Sequence, residues 1–217
     1  MIVIQPKGGL CNYLRVIFSY YSKCCKENSE LVVIWIKTSP CPGYFLDYFT
    51  PIDKVTFYES NIHGYNIDYD GCEPLNGYPP NYEKLQLLKS IQSIVNSRRG
   101  ALGDYIAVHI RRTEHSKHAK LHNSHTDDVE FMKFINRTKG TRNLYIATDN
   151  AITFDFFKNK YNDSVIFKKY HKTQVGLRQT TLHDSIIDLF MCVYAAEFKG
   201  SGWSSFSILI EDLRNLI

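Results

Sequence analysis

The chain has no apolar run near the roughly 18–20 residues a membrane-spanning helix needs. Its N-terminus, MIVIQPKGG, opens with only four apolar residues, too few for the core of a signal peptide. The sequence therefore predicts no membrane span and a cytoplasmic location. Cysteine occurs six times, as Cys11, Cys24, Cys25, Cys41, Cys72 and Cys192. No two form a CxxC pair and no spacing repeats, so free thiols are expected rather than a disulfide framework. In a reducing compartment the sequons at Asn136 and Asn162 would stay unmodified. Seven Pro and 12 Gly are too few for a linker or a collagen-like chain. Charge is nearly balanced, with 26 Lys+Arg against 22 Asp+Glu and a net charge of +4. No basic stripe is present to track a polyanion.

What remains is a globular composition. Hydrophobic residues make up 44%, which with glycine matches the usual share of roughly 45–50%. A length of 217 residues allows one generous domain or two small ones. Short β-branched or continuous apolar runs predict strands at Ile2–Ile4, Leu31–Ile36 and Val55–Tyr58, then at Tyr105–Ile110, Asn143–Thr148 and Val165–Lys168, and a short strand is expected at Glu197–Lys199. Apolar residues at steps of three and four predict helices at Asn12–Lys26, Tyr82–Arg98, Asp127–Asn136, Ile152–Lys160, Asp184–Ala196 and Ser204–Ile217. Ser60–Asn81, rich in Asn, Gly, Asp, Tyr and Pro, predicts a long loop. Strand alternating with helix, twice over, predicts an α/β fold with parallel sheets. Two small Rossmann-like halves, residues 1–100 and 101–217, would face a cleft.

Ligands of open α/β sheets bind at the carboxyl ends of strands, and four such places carry unusual residues. Lys7-Gly8-Gly9-Leu10-Cys11-Asn12 is a glycine turn entering a helix, and it matches neither GxGxxG nor GxxxxGK[ST]. His109-Ile110-Arg111-Arg112-Thr113-Glu114 closes a buried strand. If the strand persists, alternation sends His109 and Arg111 to one side and Arg112 to the other. A guanidinium there can grip a diphosphate in a bidentate fork; the structural alternative is a surface pair Arg112–Glu114. Asp149, after the strand ending at Thr148, can accept from a ligand or cap the next helix. Gly200-Ser201-Gly202-Trp203-Ser204-Ser205-Phe206-Ser207 sets hydroxyls and N–H groups at a helix start, where anions bind. Asp184 and Asp188 lie four apart, upstream of that loop.

In this order these segments resemble the fucosyltransferase superfamily with the GT-B-type fold, which includes α-1,2-, core α-1,6- and protein O-fucosyltransferases. GGLCNYLRVIFSYY is similar to its first glycine loop and helix. VHIRRTE resembles the H-x-R-R-[TG]-[DE] motif, LYIATDN the third element, and DLFMCVYAAEFKGSGWSSFS the terminal one. Thr38–Ser97 and Ser116–Arg142 have no clear match. The resemblance implies an inverting, metal-independent transfer of a sugar from GDP-fucose to a glycan or other hydroxyl acceptor, with no cofactor. It implies that Arg111 contacts the diphosphate, with His109 and Arg112 on the nucleotide side and Asp149 near the base. Ser204, Ser205 and Ser207 would contact phosphates, and Gly8, Gly9 and Asn12 form the glycine loop. The first half would be the acceptor side and the second the nucleotide-sugar side. Two departures stand out: some members carry a base carboxylate where this chain has Ala119, and the chain is short for the family.

An inverting transfer needs a base for the acceptor hydroxyl and positive charge on the leaving diphosphate. Arg111 is the candidate for the second role. Glu114 is the candidate for the first, with His115 and Asp127 behind it. Another nucleotide sugar, or a non-catalytic nucleotide- or sugar-binding domain, is the alternative. His115, His118, His122 and His125 also suggest zinc by their spacing, but no Cys lies nearby and the gaps are polar, so no metal is expected. The 15 Tyr and 13 Phe are spread through core elements, so no nucleic-acid partner is expected either.

Overall fold

The computed structural model describes residues 1–61, 64, 66–112, 119, 121–161 and 179–217. The strand expected at Val165–Lys168 lies outside them. The chain divides into two compact units, Met1–Lys89 and Ser90–Ile217. Among the described residues all six cysteines are free, and no helix is long and apolar enough to cross a membrane.

In the first unit, strands β1 (Ile2–Pro6), β2 (Leu31–Ile34), β3 (Val55–Tyr58) and β4 (Tyr69–Gly71) form a parallel sheet in the order β3-β2-β1-β4. Helix α1 (Leu10–Glu27) makes the crossover from β1 to β2, as a parallel pair requires. It ends at Asn28, whose left-handed backbone (φ 49°) lets the cap N–H reach the Cys24 and Cys25 carbonyls. β4 falls inside the segment expected to be a loop. Its three residues pair only with the β1 edge and are half-buried or exposed, so no apolar alternation marks them. The following turns are stitched to α1 from its polar side: Ser19 Oγ donates to the Tyr78 carbonyl (2.5 Å) and accepts from Leu75 N–H (2.8 Å).

In the second unit, β5 (Tyr105–Ile110) lies between β6 (Asn143–Thr148) and β7 (Glu197–Lys199), all parallel. Around them come α2 (Lys89–Leu102), α3 (Asp128–Thr138), α4 (Ala151–Tyr161), α5 (Leu182–Val193) and α6 (Ser205–Arg214). α2 starts seven residues later than the periodicity predicts. Tyr82, Leu85 and Leu87 are buried, yet their stretch bonds to the 45–50 turn instead of forming a helix. Thr50 N–H donates to the Gln86 carbonyl and Leu88 N–H to that of Tyr48.

Strand alternation sorts the second core. Ile106, Val108 and Ile110 of β5, with Leu144 and Ile146 of β6, pack against Phe131, Phe134 and Ile135 of α3 and Phe154 and Phe157 of α4. The odd-numbered residues reach α5 and α6 instead. Tyr105 Oη donates to the Met191 carbonyl (2.7 Å), Tyr145 Oη to Asp188 Oδ1 (2.7 Å), and His109 Nδ1 meets Ser207 Oγ at 2.8 Å.

Candidate nucleotide site

The parallel register continues past the strands. Tyr105 stands beside Asn143 and Ile110 beside Thr148, so the same offset sets Arg111 beside Asp149. Their side chains face the same way, and Arg111 Nη1 donates to Asp149 Oδ2 at 2.5 Å, with 10% and 7% of the side chains exposed. Asp149 Oδ1 accepts from Arg112 N–H at 3.0 Å. One carboxylate therefore fixes both arginines. Asp149 does not cap the following helix. Asn150 does so, accepting from the Thr153 N–H and hydroxyl.

Arg112 goes to the opposite face, as alternation requires. Its guanidinium lies over the Phe131 ring, 5.8 Å from the centroid, and pairs with Asp128 at the start of α3. Glu114, of the alternative pair Arg112–Glu114, lies outside the described residues, as does His115. Asp127 is the N-cap of α3, with its side chain accepting from Glu130 N–H.

Ser201 extends the β5–β7 edge with a hydroxyl in place of a backbone group. Its Oγ accepts from Arg111 N–H (2.9 Å) and donates to the His109 carbonyl (3.0 Å). Ser201 N–H donates to Ser207 Oγ (3.0 Å), the same oxygen that meets His109. Ser204 caps α6 by accepting from Ser207 N–H. Of the three candidate serines, Ser204 and Ser207 are buried and engaged in holding the loop, while Ser205, the first helical residue, is half-buried. The glycines are sterically required. A Cβ on Gly200 would lie 2.5 Å from Ser207 Cβ, and one on Gly202 would lie 2.0 Å from the Ser124 carbonyl oxygen. Gly202 N–H also donates to Thr126 Oγ1 (2.9 Å).

The second sheet thus brings His109, Arg111, Asp149, Ser201 and the α6 N-terminus to its carboxyl edge. The α6 N-terminus and the guanidinium both favour an anion. Ser201 lies inside the terminal candidate segment without a role of its own there, and Thr126 and Asp128 lie outside the four candidate segments. Only the G-x-G spacing around Ser201 hints at a tight approach, and nothing local marks the other two.

In the first unit, Gly8 adopts φ +98°, and a Cβ there would lie 2.5 Å from the Asn12 side-chain amide. Gly9 sits at the N-cap of α1 without a side-chain cap, and Lys7 pairs with Asp70 at 2.5 Å. The two upstream acids have separate fates. Asp184 accepts from the Thr181 hydroxyl at the start of α5, whereas Asp188 is buried against Tyr145. His122 stacks on Trp203, and His115 and His118 lie outside the described residues. Among those described, no three His, Cys, Asp or Glu side chains group as a metal site.

No protein-family model and no curated protein matches the sequence. Solved structures do match the fold. The NodZ α-1,6-fucosyltransferase soaked with GDP-fucose superposes with a TM-score of 0.66 at 13% identity, over 98% of this chain and 91% of that one. NodZ from Bradyrhizobium gives 0.66 at 13% identity over 98% and 92%. POFUT1 in its apo form gives 0.63 at 10% identity, over 99% and 94%. The chain shares the fucosyltransferase GT-B fold of these proteins.

Proposed function

We propose that the chain is a glycosyltransferase that moves fucose from GDP-fucose to a glycan or other hydroxyl acceptor, with inversion and without a metal. The second unit would hold the nucleotide sugar and the first would serve the acceptor. The observation that carries this reading is the Arg111–Asp149–Ser201 arrangement beside the α6 N-terminus. A fold shared with a protein solved with GDP-fucose, and with one co-crystallised with GDP, supports the donor.

In the transfer, the acceptor oxygen bonds to the sugar C1 as the bond from C1 to the phosphate oxygen breaks. The acceptor proton passes to a base, and negative charge grows on the departing diphosphate. Arg111, held in orientation by Asp149, would stabilise that charge together with the N–H groups opening α6. His109 and Ser207 would hold the loop that presents them. Glu114 is the candidate base by its place in the motif. In the first unit, Gly8, Gly9 and Asn12 would form the glycine loop.

A panel of nucleoside diphosphates tests the donor. GDP should raise the melting temperature more than UDP or ADP, since a ligand of the native state stabilises by mass action. Equal or greater stabilisation by UDP would replace fucose with another donor. Arg111→Ala should remove the GDP shift, and an unchanged shift would end its proposed role. Ala119 is buried (3% exposed), with no titratable group where some family members have a base. That favours one second reading, nucleotide binding without transfer. Release of GDP from GDP-fucose by the wild type, lost in Glu114→Gln, would decide for the enzyme.

A further inference from the structure

Trp203 has two features that packing alone does not explain. Half of its surface is exposed (50%), and its backbone is left-handed (φ 56°), where a bulky residue is a genuine outlier. The loop holds it there firmly. Gly202 lies against the Ser124 carbonyl and bonds to Thr126, which draws the 122–126 segment over the loop. His122 then stacks on the indole, with ring centroids 3.9 Å apart and planes 10° from parallel. Asn123, next to it, is also left-handed (φ 51°). Trp203 directly precedes Ser204, the α6 N-cap, so it adjoins in sequence the loop that carries the candidate diphosphate position.

We propose that Trp203, backed by His122, is the stacking platform for the nucleobase of the nucleoside diphosphate. This rests on the nucleotide reading above and adds the residue that receives the base. The parallel imidazole shows that the indole takes a planar π system at contact distance, and a nucleobase presents the same kind of face. Base and diphosphate belong to one ligand, so the platform must lie near the anion site, and Trp203 is the residue immediately before the α6 N-cap. Stacking accepts any base, since every base has a π-face. Trp203 would set affinity and leave the choice of base to polar groups.

Fluorescence and calorimetry on the full chain, with GDP as probe, test this. The other tryptophan, Trp35, is 1% exposed with Nε1 bonded to the Gly43 carbonyl, so a ligand-induced change in emission reports Trp203. GDP should quench wild-type emission, and Trp203→Phe should abolish the quench while keeping most of the affinity. Trp203→Ala and Trp203→Gly should weaken GDP roughly tenfold to a hundredfold, and UDP by the same factor if it binds. Glycine relieves the left-handed backbone, so Trp203→Gly should melt no lower than wild type while losing affinity. The proposal is overturned if wild type binds GDP and both variants bind it as tightly. It is also overturned if a free saccharide quenches Trp203 and GDP does not. Wild type that binds no nucleoside diphosphate at all would instead remove the nucleotide reading, and the platform with it.

Discussion

At the scale of single residues, glycine shows how much a local environment decides. Gly100 is exposed within α2, and a Cβ there meets nothing within 4 Å. Gly100→Ala should stabilise by about 0.5–1 kcal/mol, because alanine costs less backbone entropy in a helix. Gly202→Ala puts a Cβ 2.0 Å from a backbone oxygen. That atom cannot yield as a flexible side chain would, so the loop must shift and the Thr126 bond is lost. A loss of about 1–3 kcal/mol is expected, in the range of an overpacked site. Urea unfolding of the two variants checks the opposite signs; equal effects would mean the loop absorbs the methyl. The chain's glycine-rich turns were legible in the sequence, but which glycine tolerates a side chain was not. That depends on the Ser124 carbonyl, 78 residues away.

At the scale of elements, the helices and strands with strong periodicity were readable, and their pairing was not. Tyr105–Ile110, Asn143–Thr148 and Glu197–Lys199 form strands over the expected residues, the first two because their apolar runs have no competing use. Tyr82–Leu88 carries helical spacing but follows bonds to the 45–50 turn, a tertiary preference that no local pattern reports. His109, Arg111, Arg112 and Asp149 were all visible as candidates. That Asp149 would take Arg111 follows only from the β5–β6 register, which is set by packing across the whole sheet. The same holds for the join between β5 and α6, where Ser207 Oγ meets His109 Nδ1 and accepts from Ser201 N–H. Ser207→Ala should cost about 1–3 kcal/mol, since it takes a buried partner from both groups. GDP affinity should fall with it as the loop loosens. Full GDP affinity in Ser207→Ala would show that the tie supports the fold and leaves the site untouched.

At the scale of the molecule, raised tyrosine pKa values bear on stability at alkaline pH. The chain holds 15 tyrosines. Burial pushes Tyr13, Tyr20, Tyr48, Tyr105 and Tyr161 above the usual phenol range and Tyr21 to about 12. Tyr145 is raised most plainly, first by burial and then by the adjacent Asp188 carboxylate. Below about pH 10, the value of an unfolded tyrosine, both states are protonated and this contribution is constant. Above it the unfolded chain releases protons that the folded chain retains, so stability must fall as pH rises through the raised native values. The tyrosine contribution to the urea midpoint should therefore hold level up to about pH 10 and drop beyond it. Tyrosinate absorbance should rise in two stages, exposed rings first and buried rings together with unfolding. Tyr145→Phe should lower stability at neutral pH, by removing a donor to buried Asp188, and soften the decline above pH 10. If all the rings titrate in one smooth step while the fold persists, burial is not what holds these phenols protonated.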